Sequence, residues 1–163
     1  LWMANIVKEE GLGLDVVSGG ELALAQEVQF PPDKVYFHGN NKTFDELLEA
    51  VRYRIGYVVV DNLHELEVIE SICSTEGVTQ NILLRVTPGF DVHTHAYTAT
   101  GVLDSKFGAQ IVTGMALQLL LKALESQYVN VKGLHFHLGS PIPQLQDYVQ
   151  GIEIVLDLSL IHI

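Results

Sequence analysis

Residues 56–73, GYVVVDNLHELEVIESIC, contain a short apolar run that is followed directly by a helical pattern. The run is rich in β-branched residues, which are typical of a buried strand. Asn62 and Glu65 have the three-residue spacing of a helix N-cap pair, and apolar residues then recur at helical intervals from Leu66 to Cys73. This stretch therefore predicts one β-strand and the α-helix that follows it.

The same alternation of strand and helix extends through the whole chain. Apolar runs predict strands at residues 12–18, 34–39, 56–62, 81–89 and 131–140. Thr43 and Glu46 have the spacing of a capping box and predict the start of another helix. Apolar stripes predict the core-facing sides of two further helices, at Leu117, Leu120, Leu121 and Leu124 and at Leu145, Tyr148, Val149 and Ile152. Strands that alternate with helices in this way form right-handed βαβ units with a parallel sheet.

The spacing of the strands distinguishes two parallel architectures, an open doubly wound sheet and a barrel. The glycine-rich stretch GLGLDVVSGG, residues 11–20, lacks the GxGxxG spacing of a dinucleotide-binding turn. The first three runs begin at residues 12, 34 and 56, a regular interval that favours a barrel. A complete barrel takes eight units and roughly 250 residues. Residues 1–158 therefore predict an α/β fold, a partial (β/α)8 TIM barrel of about five βα units with parallel strands.

The composition excludes several classes of function. The 163 residues are 48% hydrophobic, and 20 Asp and Glu outnumber 9 Lys and Arg to give a formal net charge of −11. That acidity argues against binding to nucleic acid or to an anionic membrane. No apolar run reaches the length of about 18 residues that a membrane span requires. The single cysteine excludes an internal disulfide and is typical of a protein from the reducing cytoplasm.

Alternation along the predicted strands places several polar side chains inside the barrel. His135 and His137 share the inner face of their strand, and Arg85 lies on the inner face of another. A buried arginine is costly unless it meets an anion. Arg85 therefore predicts either a plain ion pair, with Asp15 or Glu21 as the partner, or an anionic ligand.

The turn after the last predicted strand has the features of a phosphate site. Gly139 and Ser140 offer backbone N–H groups and a hydroxyl directly before a predicted helix. His137 lies two residues before Gly139. An aromatic ring beside such a turn favours a flat phosphorylated cofactor.

A long connection between Gly89 and Thr113 allows a different hypothesis. Connections of more than about 12 residues in a compact domain are usually functional or disordered. This one carries four titratable residues, namely His93, His95, Asp104 and Lys106. The HxH pair in this connection and the pair formed by His135 and His137 are both compatible with zinc. A metal-dependent barrel hydrolase that uses His135 and His137 therefore stays open as an alternative function.

Five segments together resemble the diaminopimelate decarboxylase family. They are GLDVVSGGEL (13–22), HGNNKT (38–43), LLRVTPGFDVHTH (83–95), TGVLDSKFG (100–108) and GLHFHLGSPI (133–142). The resemblance extends through about Leu156 and implies a pyridoxal 5′-phosphate enzyme of the alanine racemase and ornithine decarboxylase group. It further implies a lyase of lysine biosynthesis, a cytoplasmic homodimer that converts meso-2,6-diaminopimelate into L-lysine and CO2.

The resemblance also implies roles for individual residues. His137 would stack on the pyridine ring of the cofactor, and Gly139 and Ser140 would bind its phosphate. His135 would support the same wall of the site. The polar network near the ring hydroxyl and the neighbouring subunit would contain Asp15, Arg85, Glu21 and Lys106. No metal is expected.

Part of the family's machinery is expected to lie outside these residues. The resemblance places the Schiff-base lysine before Leu1, and the glycine-rich phosphate strand and the C-terminal β domain after Leu158. We therefore expect no catalytic lysine in residues 1–158, an inactive chain, and a non-native tail, SLIHI, at residues 159–163. The alternative within the same chemistry is a related pyridoxal-phosphate decarboxylase that acts on another basic amino acid or on a carboxylated polyamine.

Overall fold

Parallel strands alternate with helices along the described chain. The computed structural model describes residues 1–90, 106–140, 142 and 144–160. The helices are α1 (Trp2–Glu9), α2 (Gly19–Glu27), α3 (Phe44–Tyr53), α4 (Leu63–Glu76), α5 (Met115–Glu125) and α6 (Leu145–Leu160), with a 3-10 turn at Pro32–Lys34. The strands are β1 (Leu14–Val16), β2 (Val35–Phe37), β3 (Tyr57–Val60), β4 (Gln80–Thr87), β5 (Ala109–Gln110) and β6 (Val129–His135).

The strands pair in parallel throughout the described residues. The sheet runs in the order β1-β2-β3-β4, β6 pairs with β4, and β5 pairs with the last two residues of β4. All five predicted strands are present, so the prediction of a parallel α/β fold built as a partial barrel is confirmed. The sequence analysis missed β5, whose two residues are too few to carry a strand pattern of their own.

Side-chain caps begin two of the helices at the predicted positions. The Thr43 hydroxyl accepts the N–H of Glu46, and the Glu46 carboxylate accepts the N–H of Thr43, which completes the capping box of α3. Asn62 Oδ1 accepts the N–H of Glu65 at the start of α4. These caps fix where the chain turns from the carboxyl end of a strand into a helix, which is the end of a barrel where active sites lie.

Successive strand residues face either the helices or the inside of the partial barrel. The helix-facing positions form one buried core, which includes Val16, Phe37, Val60, Ile82 and Leu84. On the inner face, the rings of Tyr36 and Tyr57 stack with their centroids 4.7 Å apart. Nearer the carboxyl ends of the strands, Arg85 of β4 lies opposite His135 of β6. The inner face therefore changes from tyrosine rings to cationic and imidazole groups along the strand direction.

Two helix faces differ from the predicted stripes. In α5 the buried residues are Ala116, Leu119, Leu120 and Ala123, whereas Leu121 and Leu124 are exposed. In α6 the predicted residues Leu145, Tyr148, Val149 and Ile152 are exposed, and Asp147, Gly151, Val155 and Leu158 are buried. The physical reason is close packing, because a Cβ at Gly151 would lie 3.1 Å from Phe136 and 3.2 Å from Leu138. Small residues bring these helices against the sheet, so a stripe of large apolar side chains does not mark the buried face.

Helix α6 continues through Ser159 and Leu160, the first two residues of the predicted non-native tail. The domain boundary after residue 158 stays a prediction. Residues 161–163 lie outside the described part of the chain, as do His93, His95 and Asp104. None of the described helices combines the length and the apolar content that a membrane span requires.

Candidate functional site

The carboxyl ends of four strands bring a row of polar side chains together. Arg85 and His135 are register neighbours on adjacent strands. The His38 ring meets the His135 ring edge-on, with a distance of 4.9 Å between the centroids. His38 Nε2 also lies 3.4 Å from Asp15 Oδ1. The row thus passes from β1 through the residue after β2 to β6 and β4, at the end of the barrel that carries active sites in this architecture.

Arg85 is buried, with 9% of its surface exposed. Its Cζ lies 4.4 Å from the centroid of the Phe107 ring, within the range of a cation–π contact. Burial lowers the pKa of the guanidinium, and the negative charge of Asp61 opposes that change. The predicted inward position is confirmed, but the predicted ion-pair partners, Asp15 and Glu21, are wrong. Asp61 is the carboxylate that acts on Arg85.

Residues 106–108, which we call the 106–108 turn, support the guanidinium from one side. The Thr87 hydroxyl donates to Phe107 O at 2.6 Å, and the N–H of Gly108 donates to Asp61 Oδ1 at 2.9 Å. Gly108 has a φ of +76°, and a Cβ there would lie 2.9 Å from Thr87 Oγ1. Glycine is therefore needed at this position, both for its backbone conformation and for the close approach to β4.

The predicted site residue Lys106 lies in the same turn. Its Nζ is 5.1 Å from the centroid of the Phe107 ring, and its backbone O accepts a hydrogen bond from Asn40 Nδ2 at 3.1 Å. The cations of Lys106 and Arg85 therefore share one aromatic ring, with Lys106 exposed and Arg85 buried.

Three histidines of the site favour the neutral form. Burial lowers the pKa of His38, and Asp15 opposes that change while Arg85 adds to it. Burial lowers the pKa of His135 to about 4, with further contributions from His38 and Arg85. Burial, followed by Arg85, also lowers the pKa of His137. Near neutral pH the site therefore presents uncharged imidazoles beside a guanidinium.

The predicted phosphate turn lies just beyond the end of β6. Gly139 is buried and has a φ of +132°, a backbone conformation that requires glycine. His137 and Ser140, on either side of it, are exposed. A ring, a glycine turn and a hydroxyl thus lie within four consecutive residues, next to the row of polar groups on the inner face.

Glu21 takes part in a helix cap, away from the row of polar groups. Its carboxylate accepts the N–H of Val17 at 2.7 Å, and its own N–H donates to Ser18 Oγ at 3.3 Å. These two hydrogen bonds begin α2, so the position of Glu21 is explained by local structure.

Two residues of the site, His38 and Asp61, receive no individual role in the sequence analysis. His38 directly follows β2 and Asp61 directly follows β3, and this position at the carboxyl end of a parallel strand is the available signal. Helix-capping residues share that position, as the exposed Asn62 shows. Only the structure distinguishes them, because Asp61 is buried at 5% exposure and hydrogen-bonds across to another segment.

The chemistry of these groups suits an anionic, planar ligand. The described residues contain no cluster of three or more His, Cys, Asp or Glu side chains that could hold a metal ion. A buried guanidinium, neutral imidazoles and a glycine turn beside a hydroxyl instead provide hydrogen-bond donors for an anion and flat surfaces for a ring.

Comparisons with known proteins agree with this description. Residues 1–159 match the pyridoxal binding domain of the pyridoxal-dependent decarboxylases. The chain is 54% identical over 140 residues to diaminopimelate decarboxylase from Bacillus methanolicus, covering 86% of this chain and 32% of that protein. It is 43% identical over 151 residues to the enzyme of the same name from Bacillus subtilis (strain 168), covering 93% and 34% respectively. The chain therefore spans about a third of the length of these relatives.

Two solved structures that resemble this chain are also diaminopimelate decarboxylases. The crystal structure of diaminopimelate decarboxylase from Helicobacter pylori complexed with L-lysine has a TM-score of 0.90 at 29% identity, covering 96% of this chain and 39% of that one. The structure from M. jannaschii in co-complex with L-lysine has a TM-score of 0.85 at 34% identity, covering 95% and 36%.

Proposed function

The chain belongs to the pyridoxal-dependent decarboxylase family, and from that premise we propose that it forms one wall of the pyridoxal 5′-phosphate site of a diaminopimelate decarboxylase. Such an enzyme converts meso-2,6-diaminopimelate into L-lysine and CO2. Eight relatives of this name are 40–54% identical to the chain. The lysine/ornithine decarboxylase from Vibrio vulnificus is 24% identical, a level that supports only the shared fold.

The residues present fit pyridoxal phosphate. Within the described residues, the buried Nδ1 of His135 has no hydrogen-bond partner, and a bound ligand would supply one. Arg85 is a buried cation on the same face, which is compatible with an anionic ligand. The turn at Gly139 has a positive φ and lies directly before the Ser140 hydroxyl, so its backbone N–H groups and that hydroxyl are available donors for a phosphate. When bound, the cofactor supplies an electron-withdrawing ring that accepts the electron pair left behind as CO2 departs.

His137 is proposed to hold the face of the cofactor ring. Its ring is accessible on one side and partly buried on the other, and this partial burial together with the charge of Arg85 lowers its pKa, so the imidazole is neutral near pH 7. A neutral ring can stack on a pyridine ring with a contribution of about 0.5–1.5 kcal/mol beyond area burial. Its role would be orientation, since a stacked imidazole would hold the cofactor ring in place.

Gly139 and Ser140 are proposed to bind the cofactor phosphate. The backbone N–H groups of the turn and the Ser140 hydroxyl are donors, and an anion accepts from such donors at short distances. A side chain at residue 139 would strain the backbone at its φ of +132°. The turn thus fixes one end of the cofactor while His137 fixes the plane of its ring.

Arg85, His135 and Asp15 are proposed to face the polar edge of the ring. Arg85 offers a charged donor, and His135 offers an unpaired ring nitrogen that can donate or accept in its neutral form. Asp15 acts on this edge through His38, which lies 3.4 Å from it and 4.9 Å from the His135 ring. Glu21 would contribute indirectly, through the cap of α2.

We further propose that the enzyme is a cytoplasmic homodimer. Lys106 is an exposed cation beside the site, and the family resemblance implies a neighbouring subunit at this position. Light scattering of the full-length protein that contains this chain is expected to give twice the monomer mass. A fully active monomer would contradict the proposal.

The observation that carries the proposed function is the inner-face pair of Arg85 and His135 beside the turn from His137 to Ser140, in a chain 54% identical to a diaminopimelate decarboxylase. The first test uses the full-length protein that contains this chain and measures its binding of pyridoxine 5′-phosphate, which lacks the aldehyde and cannot bond covalently to a lysine. His137→Ala is expected to weaken binding about two- to twelvefold, the change that corresponds to the stacking energy. His64→Ala, which changes an exposed histidine of α4, is the matched control and is expected to bind as the wild type does.

The second test measures CO2 release from meso-2,6-diaminopimelate by the full-length protein that contains this chain. Turnover of this substrate in preference to L-lysine and L-ornithine supports the proposal. Preference for one of the other amino acids would assign the chain to the related decarboxylases. Bound zinc without any visible absorbance from the cofactor would favour the barrel hydrolase.

A further inference from the structure

A buried ion pair lies behind the site, between two residues that the proposed function does not use. Lys42 Nζ is 2.6 Å from Glu65 Oε1, and the two side chains are 1% and 6% exposed. The same ammonium donates to Gly39 O at 2.6 Å and to Val59 O at 3.0 Å. Lys42 therefore joins the turn after β2 and the end of β3 through two hydrogen bonds, and the start of α4 through its ion pair with Glu65.

One chain of hydrogen bonds leads from this ion pair to the guanidinium of the site. Glu65 Oε2 accepts the N–H of Asp61 at 2.8 Å, and Asp61 Oδ1 accepts the N–H of Gly108 at 2.9 Å. Gly108 adjoins Phe107, whose ring lies 4.4 Å from the guanidinium of Arg85. The position of that ring thus depends on where the Asp61 carboxylate is held.

A second chain of hydrogen bonds reaches the same turn from the other side of the ion pair. Lys42 binds Gly39 O, and Asn40, the next residue, donates to Lys106 O at 3.1 Å. Both chains end on the 106–108 turn. The ion pair is therefore connected to this turn at two points, through two different strand ends.

The charges in this network balance in pairs. Lys42 lies opposite Glu65, and Asp61 acts on Arg85. Burial raises the pKa of both carboxyl groups, and Lys42 opposes the change at each of them. Without Lys42, both buried carboxylates would lose a cation that favours their charged form, and Arg85 would be left to act on Asp61. Either one carboxylate would take up a proton, or the guanidinium would move towards them and away from the inside of the barrel.

We infer that Lys42 and Glu65 are positioning residues for Arg85. Their ion pair balances the charge of Glu65, leaves Asp61 directed at the 106–108 turn, and so keeps the guanidinium on the inner face. This inference deepens the proposed function, because Arg85 is the cation proposed to face the cofactor. A purely structural ion pair would change stability without moving the guanidinium.

The test compares Lys42→Met with the double variant Lys42→Met/Glu65→Gln. The double variant removes both charges and keeps a side-chain oxygen that can accept the N–H of Asp61. The matched control is Arg52→Met, which removes the cation of an exposed ion pair with Glu76 at 2.7 Å. One readout is the Nε–H NMR signal of Arg85, which the Phe107 ring shifts and which is assigned by its loss in Arg85→Lys. The other is the affinity for pyridoxine 5′-phosphate.

Lys42→Met is expected to move the Arg85 signal and to weaken binding about tenfold. The double variant is expected to recover most of the wild-type signal position and most of the wild-type affinity, because it restores the charge balance. Arg52→Met is expected to match the wild type in both readouts. A wild-type Arg85 signal in Lys42→Met would overturn the inference. The inference would also be overturned if the double variant bound pyridoxine 5′-phosphate more weakly than Lys42→Met does, since that result indicates lost packing.

Two further outcomes keep the test decisive. If Lys42→Met does not fold, Glu65→Gln removes the counter-ion from the other side, and an unchanged Arg85 signal in that variant rejects the inference. If the wild-type protein does not bind pyridoxine 5′-phosphate, the proposed function fails. The NMR signal of Arg85, which needs no ligand, then decides the inference alone.

Discussion

Acidification is expected to destabilise the fold through His135. The pKa of this imidazole is lowered from an ordinary value of 6.5 to about 4, chiefly by burial and further by His38, Arg85 and His137, while Asp15 has the opposite effect. In the unfolded chain the same ring takes up a proton near pH 6.5. Between these two values the unfolded state binds more protons than the folded state. The free energy of unfolding therefore falls as the pH falls through this range.

The magnitude follows from the difference between the two pKa values. A difference of about 2.5 units corresponds to about 3.4 kcal/mol at 1.36 kcal/mol per unit. The ring is partly exposed on the inner face, so solvent screening reduces the effect to roughly 2 kcal/mol. This contribution is fully present above about pH 6.5 and is lost by about pH 4.

Urea unfolding at pH 7.5 and pH 4 measures the effect, with His135→Asn as the comparison. The asparagine keeps a polar side chain and removes the titrating ring, so the variant is expected to lose about 2 kcal/mol less than the wild type on acidification. Carboxylates titrate in both proteins and cancel in the comparison. His64→Asn, at an exposed histidine, is expected to behave as the wild type does. Equal losses in wild type and His135→Asn, or an NMR titration of His135 near pH 6.5, would refute the reasoning.

Three further predictions test the packing. Gly56→Ala is expected to lower the free energy of unfolding by about 2–3 kcal/mol in urea, because its Cβ would clash with the backbone of Asp33; wild-type stability would contradict this. Cys73 is buried and burial raises its pKa to about 11, so we expect no reaction with a disulfide reagent at pH 8 until the chain is unfolded in urea. Leu120→Ala is expected to cost about 2–5 kcal/mol and Leu121→Ala less than about 0.5 kcal/mol, and equal losses would favour the predicted stripe over the observed one.

Local patterns explain why most of the fold could be predicted from the sequence. A strand followed by a helix is determined by residues that are close together in the chain, as in residues 56–73. The caps at Thr43 and Asn62 depend on a hydrogen bond over three residues, and both are present as predicted. The strand that the sequence analysis missed, β5, depends on pairing with β4 across a long connection, and no local pattern indicates it.

The buried faces of α5 and α6 could not be predicted because their small residues determine them. Ala116 and Ala123 face the sheet in α5, and Gly151 does so in α6. A hydrophobic stripe assigns the core to the largest apolar side chains. When a helix approaches a sheet closely, the small residues take the contact and the larger ones move to its edges.

One extra residue in β6 decides which side chains meet in the site. Ile82 pairs with Val131, but Leu83 pairs with Gly133, so Lys132 is an irregularity in the ladder. Without it, continued pairing would place Leu134 opposite Arg85. A shift of one residue exchanges the two faces of a strand. Alternation within a strand therefore predicted that the site residues face inwards, whereas the pairing of His135 with Arg85 depends on a bulge that only the register between β4 and β6 reveals.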